Sequence, residues 1–292
     1  MANMLIGERF LKSFNVFKTK SNQHYENVKT FQRCLPSVVQ KIMSSFDIQQ
    51  RSQFSILSVG SGTGEVDIEI VNIVRQELQK QQQWSHISIF NRAIEPNLQS
   101  SNKYKENIAK FGDVVSSRYE VRQQTFQEYQ ESKEDPVSFD IVHFMHSLYY
   151  VDLEQTVLYC LENQLTEMGC LVCLMNDNES ICNTVLMKQD ELSNKASTLA
   201  QTSEELIKMA EKCGWKHEIN CQKLFVDVTE VLNADSVEGN LLLDFLTNTE
   251  NFRKSANNHV LEVTLEFIEQ LAIAKDGKYL GEIKESLVFI YK

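Results

Sequence analysis

Apolar residues return at helical spacing through the first fifty positions: Phe10, Phe14 and Phe17, then Val28, Phe31, Leu35, Val38, Val39 and Ile42. The pattern predicts helices there. Pro36 is expected to kink or restart the second one, because proline lacks the N–H of an interior helical bond. At 55–59 the pattern changes to a short apolar run of strand type, ending in Gly60-Ser61-Gly62-Thr63-Gly64. A helix follows, with Val66, Ile70, Val74 and Leu78 on one face. Beyond the glutamine-rich stretch 79–83, a second strand over 86–94 ends in Glu95-Pro96. The remaining periodicity predicts a helix over 102–111, a strand over 117–125 and, after Pro136, a strand over 139–144. Then come a helix over 153–164 and a strand over 169–174. Later segments read as a helix over 204–213 closed by Gly214, a strand or strand pair over 216–232, helices over 241–246 and 260–273, and a last strand over 286–291. Strands alternating with helices argue for a doubly wound, mostly parallel α/β sheet.

Charge and composition narrow the classes of function. Among 292 residues, 29 basic against 40 acidic side chains give a net charge of −11, which argues against nucleic acid or anionic membrane as partner. No apolar run reaches the roughly 18 residues of a membrane span, and the N-terminal stretch lacks the form of a secretory signal. Seven cysteines, an odd number, fit reduced thiols in a cytoplasmic protein better than a disulfide framework.

The strand, glycine turn and helix around 55–78 carry the candidate chemistry. Glycines let the backbone turn tightly and approach a ligand, and the helix that follows offers free N–H groups. The spacing here is GxGxG, with Glu65 and Asp67 in the first helical turn. Carboxylates there are wrong for a pyrophosphate but suit a ligand with positive charge; complementing the helix dipole is their plainer role. Glu95 closes the second strand, where a carboxylate can accept both ribose hydroxyls of a nucleoside. Ligands of doubly wound sheets sit at the carboxyl ends of the strands. Gly60–Gly64, Glu95, Thr125–Phe126 and Met145–Tyr150 are all expected at those ends.

Other constellations are weaker. Cys170 and Cys173 have half the spacing of a zinc site, but strand geometry sends them to opposite faces and no second pair accompanies them. No metal site is expected. His143 reads as a satisfied core histidine, and His146, past the strand end, as a side chain able to enter a cleft.

The segments ILSVGSGTGEVDIEI, IEPNLQSSNKYKE, FDIVHFMHSLYYV, GNLLLDFLTNTENF and SLVFIYK together resemble the class I S-adenosylmethionine-dependent methyltransferases. Within them the chain is similar to the histamine N-methyltransferase family over nearly its whole length. The resemblance implies one domain over 1–292 with a seven-stranded sheet. Cap helices would occupy 1–50 and a cofactor-binding core 51–175, while 176–292 would hold substrate-capping insertions and the last strands. S-adenosyl-L-methionine would be held by Gly60, Gly62, Glu95, Ser100, Thr125, Phe126 and Met145. Phe10, Gln23, His146, Tyr149, Tyr150, Phe245 and Ile283 would face the methyl acceptor. No residue would act as a catalytic acid or base, since transfer needs proximity and orientation. The chain departs from the family where Gln23 replaces a glutamate, Ser100 and His146 replace glutamines, and Ile283 falls near an asparagine. The resemblance thus implies a monomeric N-methyltransferase of a small imidazole-bearing amine. Carnosine or another histidine derivative is an alternative acceptor, and a non-catalytic binding protein is a second alternative.

Overall fold

The computed structural model describes residues 3–44, 51–110, 117–132, 137–193 and 201–292. In chain order the elements are α1 (Gly7–Lys20), α2 (Gln23–Ser44), β1 (Gln53–Val59), α3 (Glu65–Lys80), β2 (Ser88–Ile94), α4 (Leu98–Lys110) and β3 (Ser117–Arg122). There follow α5 (Phe126–Glu131), β4 (Phe139–Met145), α6 (Leu153–Tyr159), β5 (Leu165–Asn176), α7 (Ile181–Ser193), α8 (Ser203–Cys213) and β6 (His217–Asp227). The chain closes with α9 (Val237–Thr247), α10 (Phe252–Ser255), α11 (Asn258–Leu271), β7 (Ala272–Lys275) and β8 (Lys278–Tyr291). Phe111 and Pro136 lie outside the described residues.

The sheet order is β3-β2-β1-β4-β5-β8-β6, seven strands in a path, with β7 pairing only with β8. The pairs β2–β3, β1–β2, β1–β4 and β4–β5 are parallel. The order reverses beside β1, which has β2 on one side and β4 on the other. Val59 is in register with both Ile94 and Phe144, so the chain leaves three neighbouring strands at one level.

Two compact units make up the chain. The larger takes Val28–Met175, Leu206–Asn220 and Leu287–Lys292. Its core brings together Phe31, Leu35 and Val39 of α2, Ile56 of β1, Ile70 and Val74 of α3, Val172 of β5 and Phe289 of β8, all buried. Exposing one such side chain costs about 1.5–3 kcal/mol, so the apolar stripes fix which face of each element turns inward. The smaller takes Met1–Asn27, Asn176–Glu205 and Cys221–Ser286. Phe17, Val185, Leu224, Val226, Leu242, Leu246, Ile268 and Ile283 form its core.

Several expectations are corrected. The second helix runs unbroken through Pro36, whose neighbours Leu35, Val38 and Val39 are buried in the core. The third strand stops at Arg122, because Thr125 instead caps α5: its hydroxyl accepts the Glu128 N–H while the Glu128 carboxylate takes the Thr125 N–H. The helix expected over 153–164 loosens after Tyr159 into a π-turn over Cys160–Gln164, in which the Leu165 N–H reaches the Cys160 carbonyl. Residues 216–232 form β6 and then a 3-10 turn over Thr229–Leu232. The last strand is much longer than 286–291 and folds back on β7 through Asp276-Gly277, both at positive φ (51° and 74°). Asp-Gly is the dipeptide that such a tight hairpin turn favours. Helix α7 had no counterpart in the predicted pattern.

Candidate functional site

The loop after β1 is built for close approach. Gly60 sits at φ +69°, and a Cβ there would stand 2.4 Å from Cβ of Ser147. The Ser147 hydroxyl donates to the Val59 carbonyl, tying the β4 exit to the end of β1. Gly64, at φ +76°, meets the Tyr104 ring in the same way, its would-be Cβ 2.0 Å from Cδ2. Only glycine fits either position without moving a neighbour.

Glu95 closes β2 and is nearly fully buried. One oxygen, Oε2, accepts the Gly62 N–H at 2.8 Å, and the other, Oε1, accepts the Asn97 N–H at 2.8 Å. Burial pushes its pKa up, while those two N–H groups pull it back. A carboxylate offers about four lone-pair positions, so two backbone bonds fix its plane and leave capacity for two further donors. Glu95 is thereby a rigid acceptor beside a glycine cradle.

The other residues expected on the donor side differ in what they present. Ser100 is buried on α4, its N–H held by Asn97 Oδ1 at 3.0 Å. The exposed Thr125 spends its hydroxyl on the α5 cap. Phe126 turns its ring into the core against Phe144 and Tyr159, so its backbone is the part left to meet a ligand. Met145, half-buried, ends β4.

His146 follows in the left-handed region at φ 55°, a conformation costly for a residue with a side chain. Its N–H bonds to the Leu174 carbonyl at 3.0 Å, and Nδ1 lies 3.2 Å from the Tyr149 hydroxyl with the two rings stacked. Tyr149 is buried, and Tyr150 is 57% exposed. Desolvation of the Tyr150 hydroxyl, and then the negative field of Glu95, pushes its pKa up.

Phe10, Gln23, Phe245 and Ile283 belong to the smaller unit. Phe10 and Phe245 meet at 6.4 Å between centroids, and Phe14 and Phe17 complete the aromatic group around Phe245. Asp244, buried on α9, organises it: the carboxylate takes Arg9 of α1 at 2.6 Å and the N–H groups of Asn251 and Phe252 at 3.0 and 2.8 Å. The DFLTNTENF stretch carries this device openly, yet periodicity alone assigned it only a helix. Gln23 donates to Glu285, a buried carboxylate on β8 that no sequence pattern pointed to.

Two electrostatic expectations change. Asp67 does not flank a ligand beside Glu65; it turns into the core, where Tyr104 donates to it at 2.9 Å and burial pushes its pKa to about 7. The exposed Glu65 alone stays at the helix start. His143 is a core histidine but not a satisfied one: neither ring nitrogen has a hydrogen-bond partner among the described residues, and burial pushes its pKa down to about 3.

Comparison with known proteins fits this arrangement. Solved structures with the same fold include one from Bacillus halodurans assigned as a methyltransferase (TM-score 0.53, 14% identity, 87% of this chain and 98% of that one). The YcgJ protein of Bacillus subtilis is another (TM-score 0.51, 12% identity, 84% and 95%). The chain thus has the class I methyltransferase fold, with the glycine cradle and Glu95 at the carboxyl ends of its central strands. It is related over nearly its whole length to histamine N-methyltransferases. The enzymes of Rattus norvegicus and Bos taurus are each 28% identical to it across 97% of this chain and 94% of theirs. No protein-family model matches the chain. Among the described residues, no helix is long and apolar enough to cross a membrane.

Proposed function

We propose that this protein transfers a methyl group from S-adenosylmethionine to a ring nitrogen of a small imidazole-bearing amine, in the cytoplasm. The observation that carries the reading is Glu95, held between the Gly62 and Asn97 N–H groups with acceptor capacity for a ribose. The near-full-length relatedness to enzymes named histamine N-methyltransferase supports the imidazole acceptor. Seven unpaired cysteines support a reducing compartment.

The residues present fit the donor. A cradle that a Cβ would fill lies next to a fixed, anionic acceptor pair, and the cradle needs no cation to neutralise phosphate. Gly60, Gly62 and Glu95 would hold it, with Phe126 contributing backbone and Met145 an apolar contact. When bound, S-adenosylmethionine supplies a methyl group already activated by the positive charge on its sulfur.

The chain's own task is then alignment and exclusion of water. An imidazole, with pKa about 6.5, is mostly neutral at cytoplasmic pH and needs no strong base to expose its lone pair. His146, with Nδ1 tied to Tyr149, orients the acceptor ring and selects which nitrogen faces the donor. The aromatic faces of Tyr149 and Tyr150 stack on that ring and favour the cationic charge that develops on it.

Labelled-methyl transfer from S-adenosylmethionine to histamine, with carnosine run in parallel, tests the reading. Transfer to neither, in a protein that binds the donor by calorimetry, overturns the acceptor class. Failure to bind the donor at high micromolar concentration would leave a non-catalytic binding protein in its place.

A further inference from the structure

Within the larger unit, one helix touches both halves of the donor site. Asn97, just before α4, gives its N–H to Oε1 of Glu95 at 2.8 Å, and its own Oδ1 caps the helix by accepting the Ser100 N–H at 3.0 Å. Further along α4, Tyr104 and Asn107 stand three residues apart and so share a face. The Tyr104 ring lies against Gly64, and the amide nitrogen of Asn107 donates to the Thr63 carbonyl at 2.9 Å. The hydroxyl of the buried Tyr104 is committed to Asp67 and Asn91, which fixes its ring. Asn107 is half-buried.

The first residues of the turn are held from the second strand instead. The N–H groups of Gly60 and Ser61 go to the Ile94 carbonyl at 2.8 and 3.2 Å, and that of Gly62 goes to Glu95. At the far end, Gly64 is the N-cap of α3, and a glycine brings no side chain to cap that helix. The end of the turn therefore takes its place from α4, through a ring packed on Gly64 and a hydrogen bond to Thr63. The same helix fixes the far oxygen of Glu95 through Asn97.

We propose that Asn107 is a positioning residue for the methyl donor. By holding the Thr63 carbonyl it keeps the Gly60–Gly64 turn in the arrangement that sets the Gly62 N–H on Glu95, so that the cradle is formed before the donor arrives. Asn107 acts through the turn and does not touch the donor. Without its hydrogen bond the turn is released at one end and occupies the competent arrangement only part of the time. Apparent affinity then falls by the fraction of time lost, and by the same factor for every ligand that uses the turn. A lost direct contact would instead weaken one ligand more than another. The inference rests on the methyl-transfer reading above and deepens it on the donor side.

The test is calorimetry with S-adenosylmethionine and with S-adenosylhomocysteine, which needs no acceptor, alongside melting temperatures. Asn107→Ala should raise both dissociation constants by the same factor, about fivefold, the size expected for one net hydrogen bond. Its melting temperature should stay within about 2 °C of the unsubstituted protein. Asn107→Asp keeps the shape of the side chain, but at pH 8 its carboxylate has no hydrogen to give the Thr63 carbonyl. It should lose at least as much affinity as Asn107→Ala, whereas a side chain that merely filled space would make Asp the milder change. Either variant serves alone should the other not fold. Gln40→Ala removes a comparable bond, from Gln40 to Glu77 at 2.6 Å between α2 and α3, and should leave both constants unchanged. Unchanged constants in the Asn107 variants, unequal factors for the two ligands, or an equal loss in Gln40→Ala overturns the proposal. Should the unsubstituted protein bind neither ligand at high micromolar concentration, the methyl-transfer reading fails and this inference falls with it.

Discussion

Asp67 of α3 and His143 of β4 face each other in the core, Oδ1 and Nε2 3.8 Å apart, and no proton joins them. Burial dominates both. It favours the neutral acid, at a pKa of about 7, and the neutral base, at about 3. Tyr104 and Asn91 line the same pocket through the chain of bonds Asn91 to Tyr104 to Asp67.

The sign of the resulting pH dependence follows from the folded and unfolded values. A raised Asp67 pKa means that its contribution to stability is full below about 3.8 and is lost as pH climbs through about 7. Asp67→Asn should therefore melt about 5 °C above the unsubstituted protein at pH 8, with the difference closing toward pH 4. A difference that grows on acidification would mean Asp67 is stabilised as the anion.

His143 runs the other way. Its lowered pKa penalises the folded state as pH falls from about 6.5 toward 3. Replacing it with Gln, which does not titrate, should flatten the acid side of the melting profile, as followed by circular dichroism between pH 4 and 6.5.

Glu95→Gln places an amide nitrogen against the Gly62 or the Asn97 N–H, two donors in contact, and removes the charge. A hydrogen bond to a charged group is worth about 1.5–3 kcal/mol, so the dissociation constant for S-adenosylmethionine should rise about 10- to 100-fold in calorimetry. Undiminished affinity would remove Glu95 from the donor site.

Gly60→Ala adds a Cβ that meets Ser147 at 2.4 Å, on a backbone at φ +69°. The expected outcome is loss of donor binding together with a lowered melting temperature. Combining it with Ser147→Gly should recover only part of the loss, because the left-handed backbone still costs about 1 kcal/mol for alanine.

Thiol chemistry should divide the cysteines by burial. Cys213 and Cys221 are exposed, whereas Cys160, Cys170, Cys173 and Cys182 are buried with thiol pKa values pushed up by burial, to about 12 for Cys182. Titration with an aromatic disulfide should release two thiols rapidly from the native protein, Cys34 more slowly, and the other four only on unfolding.

The β1 turn, the places of the first five strands along the chain and Glu95 at the end of the second were legible because each depends on local signals. A glycine run between an apolar strand and an amphipathic helix is written in neighbouring residues. What escaped depended on contacts distant in sequence. Thr125 reads as strand by propensity and becomes a cap because Glu128 answers it. Asp67 looks like a first-turn carboxylate until Tyr104, on another helix, draws it inward. The bond from Gln23 to Glu285 joins residues 262 positions apart, a separation that no local pattern spans. The β7–β8 hairpin, by contrast, is marked locally by Asp276-Gly277, although the helical periodicity before it runs on to 273.

Strand β8 supplies the buried residues Leu287, Val288, Phe289 and Ile290 and lies between β5 and β6 in the sheet. Until β8 is inserted, β5 and β6 therefore flank an open slot, however early the rest of the sheet assembles. Removing residues 287–292 would leave that slot unfilled, exposing two strand edges to any other incompletely folded copy nearby.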